Sequence, residues 1–399
     1  MPGPLAGFKV IDMTQVVSGP LATMLLADQG AEVIKVEPTT GLGDLTRLPA
    51  FDKGGMGAFF INHNRGKRCL SVDLDGDEGT KVILDLCADA DVFVQNFRPG
   101  AIDRLGLGYE EVKAVNPDII YVSISGFGPT GPYADRPVLD PVIQGICGII
   151  DRQLNPQIPF PDLIRNLYAD KSTALTVAQA ITAALLARER GHGGQLVEVP
   201  MVDACMYFFW PDGMMDLTLV DEDANNKGIR LSTVYSLTEC SDAKIVYFAA
   251  SDKHRAGVCA AVGRSDLAVD ERFASMTALA QKPENVVLLG ELLADGFLQM
   301  TAAEAIEALI AADVPAGPVL TAEETLVDPQ VVHNETVVEW EHPDAGVVRA
   351  PRPAARFAKT PASLVTNAAH RGQHNDEILA ELGRSADEIT ALRDKGVIG

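Results

Sequence analysis

The residue of this chain best placed to act as a nucleophile is an aspartate before a long alanine-rich segment. In Tyr168-Ala169-Asp170-Lys171-Ser172-Thr173, Asp170 stands ahead of a run with helical character from about Lys171 to Arg190. An aspartate there is a natural N-cap. The positive end of a helix also favours the ionised carboxylate. In a partly dry cleft such a carboxylate is a competent nucleophile. Both readings rest on the same physics, and the residues alone leave both open. Asp140 and Gln144, in Leu139-Asp140-Pro141-Val142-Ile143-Gln144, open another helix, each as a cap, a surface group or part of a site.

Basic groups cluster in two places. Asn62-His63-Asn64-Arg65-Gly66-Lys67-Arg68 carries three fixed positive charges and no acid, and Arg98 and Arg104 follow in Asn96-Phe97-Arg98-Pro99-Gly100-Ala101-Ile102-Asp103-Arg104. The second group comes just after a strand signal, and strand C-termini are where open α/β sheets bind ligands. Arg and Lys there suit phosphates; a solvated loop with surface ion pairs is the alternative. The glycine-rich loop from Ser123 to Tyr133, with Gly126, Gly128 and Gly131, either lets backbone approach a ligand or is a plain turn.

Other chemistries lack their residues. The first strand–helix turn, Asp12 to Pro20, has one glycine and a proline where a dinucleotide fold carries GxGxxG. There is no GxxxxGK[ST] and no GxSxG. The seven histidines form no HExxH, and the six cysteines (Cys69, Cys87, Cys147, Cys205, Cys240, Cys259) have no metal spacing, so no metal site is expected.

The elements that must position these groups alternate in the first half of the chain. Strand signals at Phe8–Met13, Glu32–Val36, Cys69–Leu74, Val92–Gln95 and Ile119–Ser123 are separated by helix signals at Pro20–Gln29, Gly79–Ala88 and Glu110–Asn116. Such alternation implies a parallel sheet covered on both faces. A strand at Leu196–Val199 and an apolar helix from Met201 follow. After the stretch Asp221 to Lys227 the pattern changes: Thr233–Leu237 and Lys244–Ala249 read as a hairpin around Ser241-Asp242, with short helices to about Ala312. Val314 to Pro318 reads as a linker or turn. Strands at Val337–Trp340 and Val347–Ala350 and two closing helices, about Asn375–Leu382 and Ala386–Lys395, end the chain. The expected organisation is residues 1–220 as the first part of a large α/β domain, 221–325 as a smaller α+β domain, and 326–399 as a return to the large one.

Composition limits the partners. With 399 residues, 47% of them hydrophobic, the chain can bury two domains. A formal charge of −22 argues against nucleic acid or an anionic membrane surface while allowing a small anionic ligand at a local basic island. The longest apolar stretch, Met201 to Leu219, is broken by Asp203, Asp212 and Asp216, too polar to span a bilayer. No secretory leader pattern opens the chain, and the scattered cysteines suit a reducing, cytoplasmic setting.

An ordered set of segments resembles the family III CoA-transferases, which include formyl-CoA transferase, carnitine CoA-transferase and α-methylacyl-CoA racemase. It comprises Pro4 to Asp12, Leu26 to Glu37, Gly43-Asp44, Asn64 to Arg68, Asn96 to Gly100 with Arg104 to Tyr109, Asn116-Pro117, Ser125 to Gly128 with Gly131 to Tyr133, Val314 to Val319, and the helix from Glu377 to Gly383. The resemblance implies a Rossmann-like open-sheet large domain built from both chain ends, a smaller middle domain, and two subunits interlocked as a homodimer. It implies coenzyme A as substrate and product thioester, no metal, and a small carboxylic acid as the other partner. CoA would be held by Arg65, Lys67, Arg68, Asn96, Arg98, Arg104, Gly126 and Asp140, and Asp170 matches the family's nucleophilic aspartate. Through aspartyl anhydride and aspartyl-CoA thioester intermediates it would move CoA from an acyl-CoA donor to the acid.

Two other functions compete. The racemase branch uses a histidine directly before the aspartate matching Asp140, and here Leu139 stands there, which cannot transfer a proton. A CoA-binding protein without catalysis is the third reading; the intact Asp170 argues against it. The chain also departs from formyl-CoA transferase: Val17 stands where that enzyme has Gln, and Asp252-Lys253-His254 lies where it has a glycine-rich segment. Both departures argue against a small oxalate- or formyl-type substrate.

Overall fold

The computed structural model of the protein describes residues 3–154, 160–221, 223, 230–282, 284–362 and 367–399. The chain divides into two compact units, Met1–Cys147 with Ile164–Phe208 and Gln330–Gly399, and Gly148–Leu163 with Phe209–Pro329.

The first unit is built on six parallel strands: β1 (Lys9–Asp12), β2 (Glu32–Glu37), β3 (Lys67–Ser71), β4 (Val92–Gln95), β5 (Ile120–Ser125) and β6 (Leu196–Pro200). They lie in the order β3-β2-β1-β4-β5-β6, with Val10 registered between Val33 and Val92. β4, Val-Phe-Val-Gln, is buried along its whole length, as a strand covered on both faces must be. The order reverses between β1 and β4, the switch point at which open α/β sheets bind ligands. One face is packed by α2 (Asp77–Cys87), α3 (Tyr109–Val115) and the closing helices Asn375–Glu381 and Ala386–Asp394, around Ile11, Ile83, Phe93 and Ile378. The chain end is tied to β3: the Ser71 N–H donates to Asn375 Oδ1 at 2.9 Å, and Val72 bridges Ile398. On the other side α1 (Ser18–Asp28) packs against the long α5 (Tyr168–Ala187). A hairpin, Val337–His342 with Gly346–Pro351, completes this unit.

In the second unit a three-stranded antiparallel sheet is surrounded by short helices around Phe273, Leu293, Phe297 and Leu309. Here two local expectations fail. Thr233 to Leu237 is not a strand: a short helix (Leu231–Val234) comes first, and the strand of the hairpin is Thr238–Glu239, paired with Lys244–Tyr247. Val314 to Pro318 is more than a turn, because Ala316–Pro318 pairs antiparallel with Lys244–Tyr247 as an edge strand. An edge strand tolerates the proline that argued for a break.

Candidate active site

The loops after β1, β4 and β5 enclose a cavity of about 590 Å³ at the switch point. Its lining includes Gln15, Val16 and Ser18 from the first loop, Asn96 and Arg98 from the second, Ser125, Gly126, Arg136 and Leu139 from the third, and Asp170. All of them belong to the first unit.

Asp170 enters this cavity from the first turn of α5. It is the third residue of the helix, not its N-cap; Leu167 holds that position and makes no side-chain cap. The carboxylate is therefore not spent on capping, and it still faces the positive end of a 20-residue helix. Only 7% of Asp170 is exposed. Burial, reinforced by the charge of Asp140, pushes its carboxyl up to about 7, although the neighbouring hydroxyl and N–H of Ser18 pull the other way.

Asp140 opens the helix α4 (Asp140–Ile146) and is buried. Its Oδ2 accepts the backbone N–H of Asp170 at 2.9 Å, and its Oδ1 accepts from Gln144 Nε2 at 2.6 Å. Gln144 also ties down the segment leading to Asp170, donating to the carbonyls of Ile164 and Asn166 and accepting from the Ile164 N–H. The two carboxylates left open in the sequence thus meet, and Asp140 braces the helix head that carries Asp170.

The loop after β1 is held from below. Both backbone polar groups of Gln15 are taken by the Asn96 side chain, at 2.9 and 2.8 Å. Val16 has φ +69°, a left-handed conformation that costs a β-branched residue on the order of 1–3 kcal/mol. Its N–H donates to Asp44 Oδ1 at 3.2 Å. Gly19, at the start of α1, lies so near Thr14 that a Cβ would come within 2.3 Å of it. Val17, the position compared with a glutamine, is buried and does not line the cavity. Gly126 leaves room for Val138: a Cβ there would meet Val138 Cγ1 at 2.1 Å.

The expected phosphate ligands fall into two sets. Arg65 is buried against Asp28, with bonds of 3.2 and 2.6 Å. Lys67 is buried beneath the sheet end, donating to Asp12 Oδ2, the Pro20 carbonyl and Asn64 Oδ1. Arg68 pairs with Glu32, Glu377 and Glu381. The basic island of the sequence is therefore dispersed onto carboxylates from distant parts of the chain. Arg98 and Arg104, by contrast, are exposed and have no carboxylate partner among the described residues, and of the two Arg98 lines the cavity while Arg104 does not. Arg136, overlooked in the sequence, also lines the cavity, with its guanidinium 3.5 Å from the Tyr133 ring centroid. A lone arginine in a proline- and glycine-rich loop gives no signal by spacing; only the folded loop brings it to the cavity. Ser18 was missed for the same reason.

Among the described residues, Asp170, Arg98 and Arg136 are the only titratable residues of this lining, and no histidine is in it. Leu139 lies open at the cavity, 63% exposed. Among the described residues no group of three His, Cys, Asp or Glu is arranged to hold a metal, and no helix is long and apolar enough to cross a membrane.

Comparison with known proteins agrees along nearly the whole chain. The family model described as CoA-transferase family III matches residues 5–375. An acyl-CoA transferase of Fusarium pseudograminearum is 34% identical over 99% of this chain and 88% of its own. The human succinyl-CoA:glutarate CoA-transferase is 30% identical over 99% of this chain and 90% of its own. The crystal structure of a CAIB/BAIF family protein from Brucella suis superposes with a TM-score of 0.81 at 32% identity, over 96% of this chain and 100% of that one. The chain belongs to the CoA-transferase family III.

Proposed function

We propose that the protein moves CoA from an acyl-CoA to a free carboxylic acid, with Asp170 as the covalent nucleophile. The observation that carries the reading is a buried carboxylate in the first turn of a long helix, lining a switch-point cavity whose lining also includes Arg98 and Arg136. Names of relatives point the same way: succinyl-CoA:glutarate, succinyl-CoA–D-citramalate and formyl-CoA:oxalate CoA-transferases all act between a CoA thioester and a carboxylic acid.

In this reading the Asp170 carboxylate attacks the thioester carbonyl of the donor, forming an acyl-aspartyl anhydride and releasing CoA thiolate. The thiolate attacks the Asp170 carbonyl carbon. The donor leaves as a free acid, taking one oxygen from Asp170, and an aspartyl-CoA thioester remains. The acceptor carboxylate attacks that thioester and expels the thiolate, which then attacks the acceptor's acyl carbon. New acyl-CoA departs and Asp170 is a carboxylate again. No proton is gained or lost, so no acid or base is needed beyond the ionised Asp170. Burial keeps water from the anhydrides. The N–H and hydroxyl of Ser18, which shares the cavity lining with Asp170, would hold negative charge on the Asp170 oxygens as each adduct forms.

Asn96, Arg98, Arg104 and Gly126 are proposed to hold CoA along the loops after β4 and β5, together with Arg136. Arg65, Lys67 and Arg68 have carboxylate partners already, and their proposed part is to hold the sheet end. Asp140 is proposed to orient Asp170. An interlocked homodimer and a cytoplasmic setting, implied by the resemblance and by six cysteines that are free and buried, belong to the same proposal. Racemisation finds no support in a cavity where Leu139 takes the place of a second base.

The test is acceptor-dependent CoA exchange with a panel of acyl-CoAs and acids in deuterated water, read by mass spectrometry. New acyl-CoA that needs the acceptor and is lost in Asp170→Ala supports the proposal. Deuterium at the α-carbon without exchange overturns it.

A further inference from the structure

Beneath the loop that meets Asp170 lies a cluster of buried charges for which the proposed reaction has no use. Lys35, on β2, is fully buried and donates to Asp44 Oδ2 at 2.8 Å and to the Thr14 carbonyl at 2.9 Å. Asp44 is equally buried, and its Oδ1 accepts from the Val16 N–H, the Thr46 N–H and the Thr46 hydroxyl. Asp12 takes the Thr14 N–H and hydroxyl and the Lys67 ammonium. So the loop from Thr14 to Val16 is anchored at Thr14 and Val16 by side chains from two other segments, and the anchored residue in the left-handed region is Val16.

A valine does not adopt φ +69° unaided; something must hold it there. Two residues later comes Ser18, which lines the cavity together with Asp170 and whose N–H and hydroxyl pull the Asp170 carboxyl down. If Val16 relaxed to ordinary backbone angles, the chain direction into α1 would turn and Ser18 would be carried away from Asp170.

We propose that the buried Lys35–Asp44 pair is a positioning device for the reaction, holding Val16 in its left-handed conformation and so presenting Ser18 to Asp170. This inference rests on the reading of Asp170 as nucleophile. Lys35 and Asp44 touch no reacting atom; they act through the loop. A buried ion pair is weak as a source of stability but useful for fixing one arrangement. Here the arrangement is a backbone conformation that the local sequence disfavours.

The experiment is a mutant cycle in the CoA-exchange assay. Lys35→Met with Asp44→Ala removes both charges together, so neither is left buried alone. The expected result is a fall in kcat of about 100-fold, the size of loss that a small misplacement of a catalytic group produces, with the KM for acyl-CoA changed less than about threefold. The acid limb of kcat/KM moves to higher pH, because the Ser18 N–H and hydroxyl that pull the Asp170 carboxyl down are moved away from it. Of the other charged groups, Asp140 faces Asp170 and is untouched by the substitutions; Arg47, Lys67 and His63 face Asp44. Burial holds the His63 imidazole below its ordinary value. Adding Val16→Gly, which accepts positive φ without strain, restores at least tenfold of the lost kcat and returns the acid limb.

A charge-free variant with unchanged kcat and acid limb, or a loss that Val16→Gly leaves in place, overturns the proposal. Should the double variant not fold, Asp44→Asn, which keeps the size and an acceptor oxygen, gives the same two readouts with a smaller loss. Asp170→Ala in the same assay separates the two levels. If it still exchanges CoA, the nucleophile reading falls; if it is dead while the charge-free variant behaves as wild type, only the positioning role falls.

Discussion

Asp140 Oδ2 accepts the backbone N–H of Asp170 at 2.9 Å, so a second buried carboxylate is fixed beside that of Asp170. It steadies the head of α5, and its charge helps burial push the Asp170 carboxyl up to about 7.

The pH dependence of exchange follows. With Asp170 attacking as the carboxylate, as proposed, kcat/KM rises with pH through about 7 and levels off above it. Asp140→Asn removes the like charge and moves this limb to lower pH. A pH–rate profile of both enzymes checks the shift, and an unmoved limb would remove Asp140 from the account.

The same shift has a stability consequence. A carboxyl raised from 3.8 to about 7 on folding binds its proton more tightly in the native state. Its contribution is fully present below pH 3.8 and is lost as pH rises towards 7, because above that the native state must bury a charge that the unfolded chain exposes. Asp170→Asn has no such loss. It gains stability over wild type between those limits, by up to about 4 kcal/mol above pH 7. Denaturant titrations of both proteins at pH 5 and pH 8 read the difference directly.

The two sets of basic residues separate experimentally. Lys67→Met leaves Asp12 buried without its ammonium partner and lowers stability by about 3–5 kcal/mol. Arg98→Ala leaves the melting temperature unchanged and raises the KM for acyl-CoA roughly tenfold to 100-fold, the value of a lost charge-assisted bond. Thermal melts and KM measurements on the two variants should move opposite quantities.

Gly126 is confined by Val138, whose Cγ1 would lie 2.1 Å from an added Cβ. Gly126→Ala pushes the segment carrying Arg136 and Leu139 away from the cavity. KM for acyl-CoA rises while the fold persists; circular dichroism and steady-state kinetics together test this.

The parallel sheet was legible because its strands are short apolar runs separated by helices at regular intervals. Asp170 and Asp140 were visible as helix openers, but their meeting was not, since 30 residues separate them. The partners of the island of Arg65, Lys67 and Arg68 were not legible. Its neutralising partners are Asp12, Asp28, Glu32 and two glutamates more than 300 residues away in sequence, Glu377 and Glu381. Charge in a sequence window says nothing about such pairings. The left-handed Val16 was also hidden, because a valine gives no sign of positive φ; Asp44 and Asn96 impose it from elsewhere in the chain.

Whether Asp170 bonds covalently to the substrate acids can be read by isotope transfer. The protein is given an unlabelled acyl-CoA and an acceptor acid carrying oxygen-18 in its carboxylate, quenched after one turnover, and digested for mass spectrometry. One oxygen-18 is expected in the peptide containing Asp170, because the acceptor leaves its bridging oxygen there when CoA takes its acyl group. New acyl-CoA formed with an unlabelled Asp170 peptide would rule out the covalent role.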